Sequence, residues 1–247
     1  LIRPDTTLVS IMAVNNEIGS IQPIEAISEL LADKPTISFH VDAVQALAKI
    51  PTEKYLTDRV DFATFSSHKF HGVRGVGFVY IKSGKKITPL LTGGGQERDY
   101  RSTTENVAGI AATAKALRLS MEKLDFFTSK TGQMKAVIRQ ALLDYPDIFV
   151  FSDEKDFAPH ILTFGIKGVR GEVIVHAFED YDIFISTTSA CSSKAGKPAG
   201  TLIAMGVDKD KAQSAVRLSL DLENDMSQVE QFLTKLKLIY NQTRKVR

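Results

Sequence analysis

A single cysteine in 247 residues rules out an internal disulfide, so this is not a cystine-stapled secreted scaffold, and the free thiol points to the reducing cytoplasm. Charge of one sign is equally scarce. With 31 Lys and Arg against 29 Asp and Glu, the net charge is +2, so composition points to no broad basic surface for nucleic acid or a membrane, and polyanion binding is not the default reading. Long apolar runs are missing too: Leu8 to Val14 falls far short of the ~20 residues of a membrane span, and no charged-then-apolar leader opens the chain. There is no Cys/His cluster of metal-ligand spacing, P-loop, G-x-G-x-x-G after a strand or G-x-S-x-G elbow, so metal, nucleotide and esterase readings lose their usual support. What remains is 43% hydrophobic residues over one to two domains' length, enough for a sizeable core.

Apolar β-rich runs alternate with stretches of helical period, the pattern of an α/β chain with a largely parallel sheet. Leu8 to Val14 is nearly continuous in apolar residues, as expected of a strand covered on both faces. Pro23 opens a helix through Ile24, Ile27, Leu30 and Leu31, and strands follow at Ile37 to Val41, Asp61 to Ser66 and Gly77 to Ile81. The link Ser67 to Gly75 is too short for a crossover helix, so the last two strands are expected to be antiparallel. A long polar, glycine-rich loop, Thr92 to Thr104, precedes helices from Glu105 and from about Ser129 to Leu143, with a domain boundary expected near Asp125 and Phe126. The second half reads as strand 161–166, helix 172–179, strand 183–187, polar loop 188–200, short helix 201–205, strand 215–220 and an amphipathic terminal helix carrying Val229, Phe232, Leu233, Leu236, Ile239 and Tyr240.

Four places carry candidate chemistry. Lys69 follows a buried strand within Ser66-Ser67-His68-Lys69-Phe70-His71-Gly72, and ligands of open α/β sheets sit beyond the carboxyl ends of strands. A lysine there can form a Schiff base with a carbonyl while Ser66 and His68 hold a phosphate; the alternative is a surface lysine snorkelling at a strand end. Asp42 ends an apolar strand, where a carboxylate needs a cationic or hydrogen-bonding partner such as a protonated pyridine nitrogen, or else caps a helix. The lone thiol, Cys191, lies among small, polar and cationic residues, including Lys194 and Lys197, which favours an accessible, mobile loop and the thiolate over the buried-hydrophobe role common for free Cys. Arg217 alternates with Val216 and Leu218 in a strand, and its guanidinium suits a substrate carboxylate if it is not simply solvated. Asn15 and Asn16 follow the first strand, where an Asn donates to a cofactor ring oxygen or a carboxylate, which makes Asn16 a candidate cofactor and substrate binder, or else forms a turn.

Taken in order, Val14-Asn15-Asn16-Glu17-Ile18-Gly19, His40-Val41-Asp42-Ala43-Val44-Gln45, Ser66-Ser67-His68-Lys69, Gly93-Gly94-Gly95-Gln96-Glu97-Arg98 with Arg101-Ser102-Thr103-Thr104, Ser189-Ala190-Cys191 and Arg217-Leu218-Ser219-Leu220 resemble the NifS/IscS-like cysteine desulfurases across nearly the whole chain. The resemblance implies an α/β fold of the pyridoxal-phosphate-dependent transferase fold type I: residues 1–125 as the C-terminal part of a large domain with a mainly parallel sheet, and 126–247 as a smaller domain carrying the Cys loop. It implies that Lys69 bonds covalently to pyridoxal 5′-phosphate, Asp42 pairs with the pyridine nitrogen and Gln45 meets the ring hydroxyl oxygen. Ser66 and His68 match phosphate ligands, and Thr104 one donated by a partner subunit, hence a homodimer. Asn16 and Arg217 match the binders of the L-cysteine carboxylate, and Cys191 the nucleophile that becomes a persulfide and passes sulfur to an acceptor protein for iron–sulfur clusters or tRNA thiolation.

Two departures accompany the resemblance. The chain begins Leu1-Ile2-Arg3-Pro4-Asp5 without Met, and roughly 130 residues of the family, with a phosphate-binding turn and a ring-stacking His, have no counterpart, where domains typically run ~100–150 residues. A fragment with weak or absent cofactor binding and an exposed sheet edge is the expectation. Asp221 stands where the family commonly has Gly. Competing readings are a related pyridoxal-phosphate enzyme, either a selenocysteine lyase or an aminotransferase, and a non-catalytic dimerisation and docking module.

Overall fold

The computed structural model describes residues 1–188 and 200–245. The chain forms two compact units, one of Leu1–Ala13 with Gln22–Leu124, the other of Val14–Ile21 with Asp125–Arg247. In the first, β1 (Leu8–Met12), β2 (Ser38–Asp42), β3 (Phe62–Ser66) and β4 (Gly77–Ile81) lie side by side in that order. The pairs β1–β2 and β2–β3 are parallel, and β3–β4 is antiparallel as the short link requires. Helix α1 (Ile24–Leu30) begins directly after Pro23, and α2 (Val107–Glu122) is capped by Asn106, whose side chain accepts the Gly109 N–H at 3.0 Å. The core of this unit gathers Phe39, Val41, Ala43, Tyr55, Val60, Ala63, Phe65 and Phe70, all buried.

The expectation of a first strand covered on both faces is corrected. Among the described residues β1 is an edge strand paired only with β2, and Leu8 and Met12 are 55% and 39% exposed.

In the second unit α3 (Leu124–Leu143) starts five residues before the expected Ser129. The sheet is antiparallel throughout, in the order β5 (Ile148–Val150), β6 (Ile161–Ile166), β8 (Ala215–Ser219), β7 (Ser186–Thr187). The expected strand 183–187 is thus only two residues long, and β5 was not foreseen. Helices α4 (Gly171–Glu179), α5 (Gly200–Ala204), α6 (Lys209–Gln213) and α7 (Met226–Lys245) complete the unit. Helix α7 buries Val229, Phe232, Leu236, Ile239 and Tyr240, and Phe232 stacks on Phe178 with ring centroids 5.0 Å apart. Asp221, unexplained by sequence, builds the turn into α7: its carboxylate accepts the Leu222 N–H, and its own N–H donates to Asn224 Oδ1 at 2.9 Å.

Candidate active site

The three parallel strands of the first unit end together, and the candidate residues stand at that edge. Met12 pairs in register with Asp42, and Asp42 with Thr64. β3 ends at Ser66, and a 3₁₀ turn, Ser67–Phe70, follows at once with His68 and Lys69 on it. This turn is fastened from behind. The Ser67 side chain is fully buried, its hydroxyl bonds Thr113 Oγ1 on α2 at 2.9 Å, and its N–H donates to the Val76 carbonyl. Ser120 of α2 donates to the Phe70 carbonyl at 3.1 Å, and the buried Phe70 ring meets Phe78 edge-on. His71 then takes a left-handed φ of 67° to end the turn, and a Cβ at Gly72 would overlap the Ser67 hydroxyl, so the chain closes back on itself only with glycine there.

The result is a rigid base carrying polar side chains that point to no internal partner. The Lys69 ammonium is half-buried and makes no hydrogen bond or ion pair with the described residues, and the same holds for the side chains of Gln45, Ser66 and His68. Asp42 spends one carboxylate oxygen, Oδ1, on the Val44 N–H at 3.0 Å. An amine, a carboxylate and amide, hydroxyl and imidazole donors, left uncommitted at the carboxyl edge of a parallel sheet, fit an aldehyde-bearing, phosphorylated cationic ring. Among the described residues no His, Cys, Asp and Glu cluster is disposed to hold a metal. Thr104 is exposed in the loop ahead of α2.

Sequence reasoning passed over His40. It lies one alternation behind Asp42 on the same face of β2, with Nδ1 2.7 Å from Ser10 Oγ and Nε2 3.1 Å from Thr64 Oγ1. Burial lowers its pKa below the ordinary imidazole range, and the Asp42 charge opposes that only in part. The available signal was the alternation Ser38, His40, Asp42, a polar face within a parallel strand. The glycine-rich loop held a second surprise: Glu97, Arg98 and Asp99 adopt left-handed φ of 50°, 57° and 68° in succession.

Asn16 and Arg217 belong to the second unit, and the structure brings them together: Arg217 Nη1 donates to the Asn16 carbonyl at 2.7 Å. Arg217 alternates with the buried Val216 and Leu218 as expected. The turn is made by Asn15, whose Oδ1 accepts the N–H groups of Glu17 and Ile18 at 2.8 and 3.0 Å, leaving the Asn16 side chain exposed. Gly19 closes the turn with φ of 82°, where a Cβ would stand 2.8 Å from Ile161 Cβ. Glu17 Oε2 accepts the Thr201 N–H at 3.2 Å, and Asn15 Nδ2 donates to Thr201 Oγ1 at 3.3 Å. Cys191 lies outside the described residues.

Comparison with known proteins bears on the whole arrangement. The aminotransferase class-V family model matches residues 1–232. A NifS/IcsS protein homolog of Lactobacillus delbrueckii subsp. bulgaricus is 52% identical over 243 residues, covering 98% of this chain and 63% of that protein. Cysteine desulfurase IscS of Clostridium botulinum is 38% identical over 250 residues, 99% of this chain and 62% of its own length. A solved NifS-like protein superposes with a TM-score of 0.87 at 37% identity, covering 98% of this chain and 63% of that one. The chain thus spans a little over three fifths of the length of these relatives. No helix among the described residues is long and apolar enough to cross a membrane. With a family model matched over residues 1–232, the chain belongs to the aminotransferase class-V family, as a homologue of NifS- and IscS-type proteins.

Proposed function

We propose that this chain supplies the lysine, carboxylate and thiol chemistry of a pyridoxal-phosphate-dependent cysteine desulfurase. The observation that carries the reading is the set of uncommitted side chains at one sheet edge, Lys69 on its braced turn beside the ends of β2 and β3. Bound there, pyridoxal phosphate would supply an aldehyde that condenses with an amine and a cationic ring that draws electron density from the α-carbon of an amino acid. Lys69 would hold the cofactor and, once displaced by substrate, move the α-proton. Asp42, with one oxygen fixed by Val44 N–H, would offer the other to the ring nitrogen, Gln45 would meet the ring hydroxyl, and Ser66 and His68 the phosphate. In the second unit Asn16 and Arg217 would hold the carboxylate of L-cysteine. Cys191 would take the substrate's sulfur, so that L-cysteine and the Cys191 thiol become L-alanine and a Cys191 persulfide, with every atom and electron accounted for.

Family likeness further supports a cytoplasmic homodimer in which Thr104 of one protomer serves the other's phosphate, and delivery of persulfide sulfur to an acceptor protein. In this reading residues 1–125 hold the cofactor and 126–247 carry the sulfur. The test is direct. In the full-length protein with pyridoxal phosphate and L-cysteine, alanine is released and a persulfide is trapped on Cys191, Cys191→Ala abolishes both, and Lys69→Ala removes the visible absorbance of lysine-bound cofactor. Full alanine release by Cys191→Ala would instead identify a lyase, a 2-oxo acid in place of alanine would identify an aminotransferase, and an absorbance unaffected by Lys69→Ala would rule out a lysine-anchored cofactor.

A further inference from the structure

The polar face of β2 continues behind Asp42 into a hydrogen-bonded chain that crosses three strands. Ser10 on β1, His40 on β2 and Thr64 on β3 are joined hydroxyl to imidazole to hydroxyl, at 2.7 and 3.1 Å. Register makes this chain continuous with the candidate site: Ser10 is the strand partner of His40, and Thr64 that of Asp42. Thr64 therefore sits both at the end of the imidazole clamp and beside the carboxylate. An imidazole with a hydroxyl at each nitrogen is fully hydrogen-bonded without a charge, since one hydroxyl donates to it and the other accepts from it.

We propose that His40 is a positioning residue for Asp42, pinning Thr64 against the carboxylate's strand end and presenting an uncharged ring behind it, so that the ligand's ring nitrogen is the cation Asp42 meets. This deepens the proposed function and rests on it. The charge that acts on His40 is that of Asp42 on its own strand, while β1 and β3 turn toward it the neutral hydroxyls of Ser10 and Thr64. Burial outweighs the pull of Asp42 and keeps the ring neutral at neutral pH. An imidazolium in the same place would compete with the ligand for the carboxylate, weakening its hold on a protonated ring nitrogen.

Three variants of the protein separate this from a merely structural role. His40→Leu removes both hydrogen bonds, His40→Gln keeps an amide at the Nε2 position to meet Thr64, and Asp42→Asn removes the carboxylate charge. Pyridoxal phosphate binding is followed by absorbance, and the band of bound cofactor is titrated with pH. His40→Leu is expected to weaken binding about tenfold, a step of the size a lost hydrogen bond produces, and to move the titration toward that of Asp42→Asn, while His40→Gln stays close to the parent. Wild-type affinity in His40→Leu, or equal loss in His40→Leu and His40→Gln, overturns the inference. A second readout needs no cofactor: the His40 ring followed by NMR titrates below the ordinary ~6.5, and a ring titrating at or above it overturns the inference as well. Failure of the parent reading looks different, since binding is then absent in the unaltered protein or indifferent to Lys69→Ala, and both proposals fall together.

Discussion

All six residues of β6 are buried, whereas β2 buries only every second one, and this contrast separates the two units. β6 lies between β5 and β8 in a core where Phe164, Phe178 and Phe232 meet ring to ring. Such a strand has no face left to offer a ligand. β2 hides Phe39 and Val41 on one face and turns Ser38, His40 and Asp42 to the other, half-exposed. A parallel strand that keeps a polar face forgoes hydrophobic cover and gains a place for chemistry at its carboxyl end. The first unit adds polar fastenings, the Ser67–Thr113 bond and the Asp61 cluster, to its Phe65–Phe78 stack, where the second packs the rings of Phe164 and Phe178 around Phe232.

The sharpest way to break the contrast is to empty the second core. Phe232→Ala removes a ring that stacks on Phe178 and meets Phe164 edge-on, and should cost about 3–5 kcal/mol. Urea unfolding reads the loss, and hydrogen exchange locates it: amides of β6 and β8 should exchange faster while those of β1–β3 hold. Equal acceleration in both units would show that the aromatic core supports the whole chain.

The matching cut in the first unit is polar. Asp61 is 2% exposed and accepts the Phe39 N–H at 2.9 Å, Arg59 Nη1 at 2.8 Å and the Lys85 ammonium at 3.2 Å. Burial alone would push its carboxyl up, but those three partners together hold it below the usual carboxylate range. A depressed folded pKa contributes stability that is present above the unfolded value near ~3.9 and is lost as pH falls through the folded one. Asp61→Asn should therefore cost about 2–3 kcal/mol at neutral pH, because Arg59 and Lys85 lose a buried countercharge, and the deficit should close as pH falls through the depressed folded value. Parallel acid-unfolding curves for the two proteins, offset at every pH, would refute the linkage.

How far these contrasts were legible in sequence depends on how local they are. Asp42 ends β2 and Lys69 follows the end of β3, and the strand-end rule needs only a hydrophobic run and its boundary, so their placement at one edge was readable. Strand β5, three residues long, is too short to declare a period. The membership of Val14–Ile21 in the second unit was not readable at all, because it is fixed by partners far along the chain: Ser152 Oγ to the Ile18 carbonyl at 2.6 Å, Ala158 N–H to the Gly19 carbonyl at 2.7 Å and Thr163 Oγ1 to the Glu17 carbonyl at 2.6 Å. His40 escaped for a related reason, since its role depends on register with Ser10 and Thr64, which no single strand encodes.

Within the second unit one residue violates its own rule, and removing it should stabilise. Lys135 on α3 is 6% exposed, with its ammonium donating to the Ala158 carbonyl at 2.8 Å. Burial, aided by the nearby Arg139 charge and opposed by Asp153 and Glu154, lowers its pKa to about 8. A lysine held below its unfolded value of ~10.4 makes the folded state bind fewer protons between the two values, so stability rises as pH climbs through that window. Lys135→Met trades one hydrogen bond for relief of a buried charge and should gain about 1 kcal/mol at neutral pH, an advantage that fades toward pH 10. A loss at neutral pH would mean that the bond to Ala158, which also carries the Gly19 contact, outweighs the charge.

The smallest effect belongs to the surface, where neither unit's strategy operates. Arg118 and Glu122 form an i,i+4 pair on α2 with both side chains more than half exposed. Water screens the attraction, and two long side chains give up rotamer freedom to make it, so Glu122→Ala should change stability by less than about 0.5 kcal/mol. The orientation adds little, because the Arg precedes the Glu, the weaker order along a helix, and the Glu sits at the end where the helix dipole disfavours negative charge. Ala also has the higher helix propensity, which offsets part of the lost pair. A cost above about 1 kcal/mol, persisting in high salt, would show that this face of α2 is covered in the folded protein, since only a desolvated pair escapes screening.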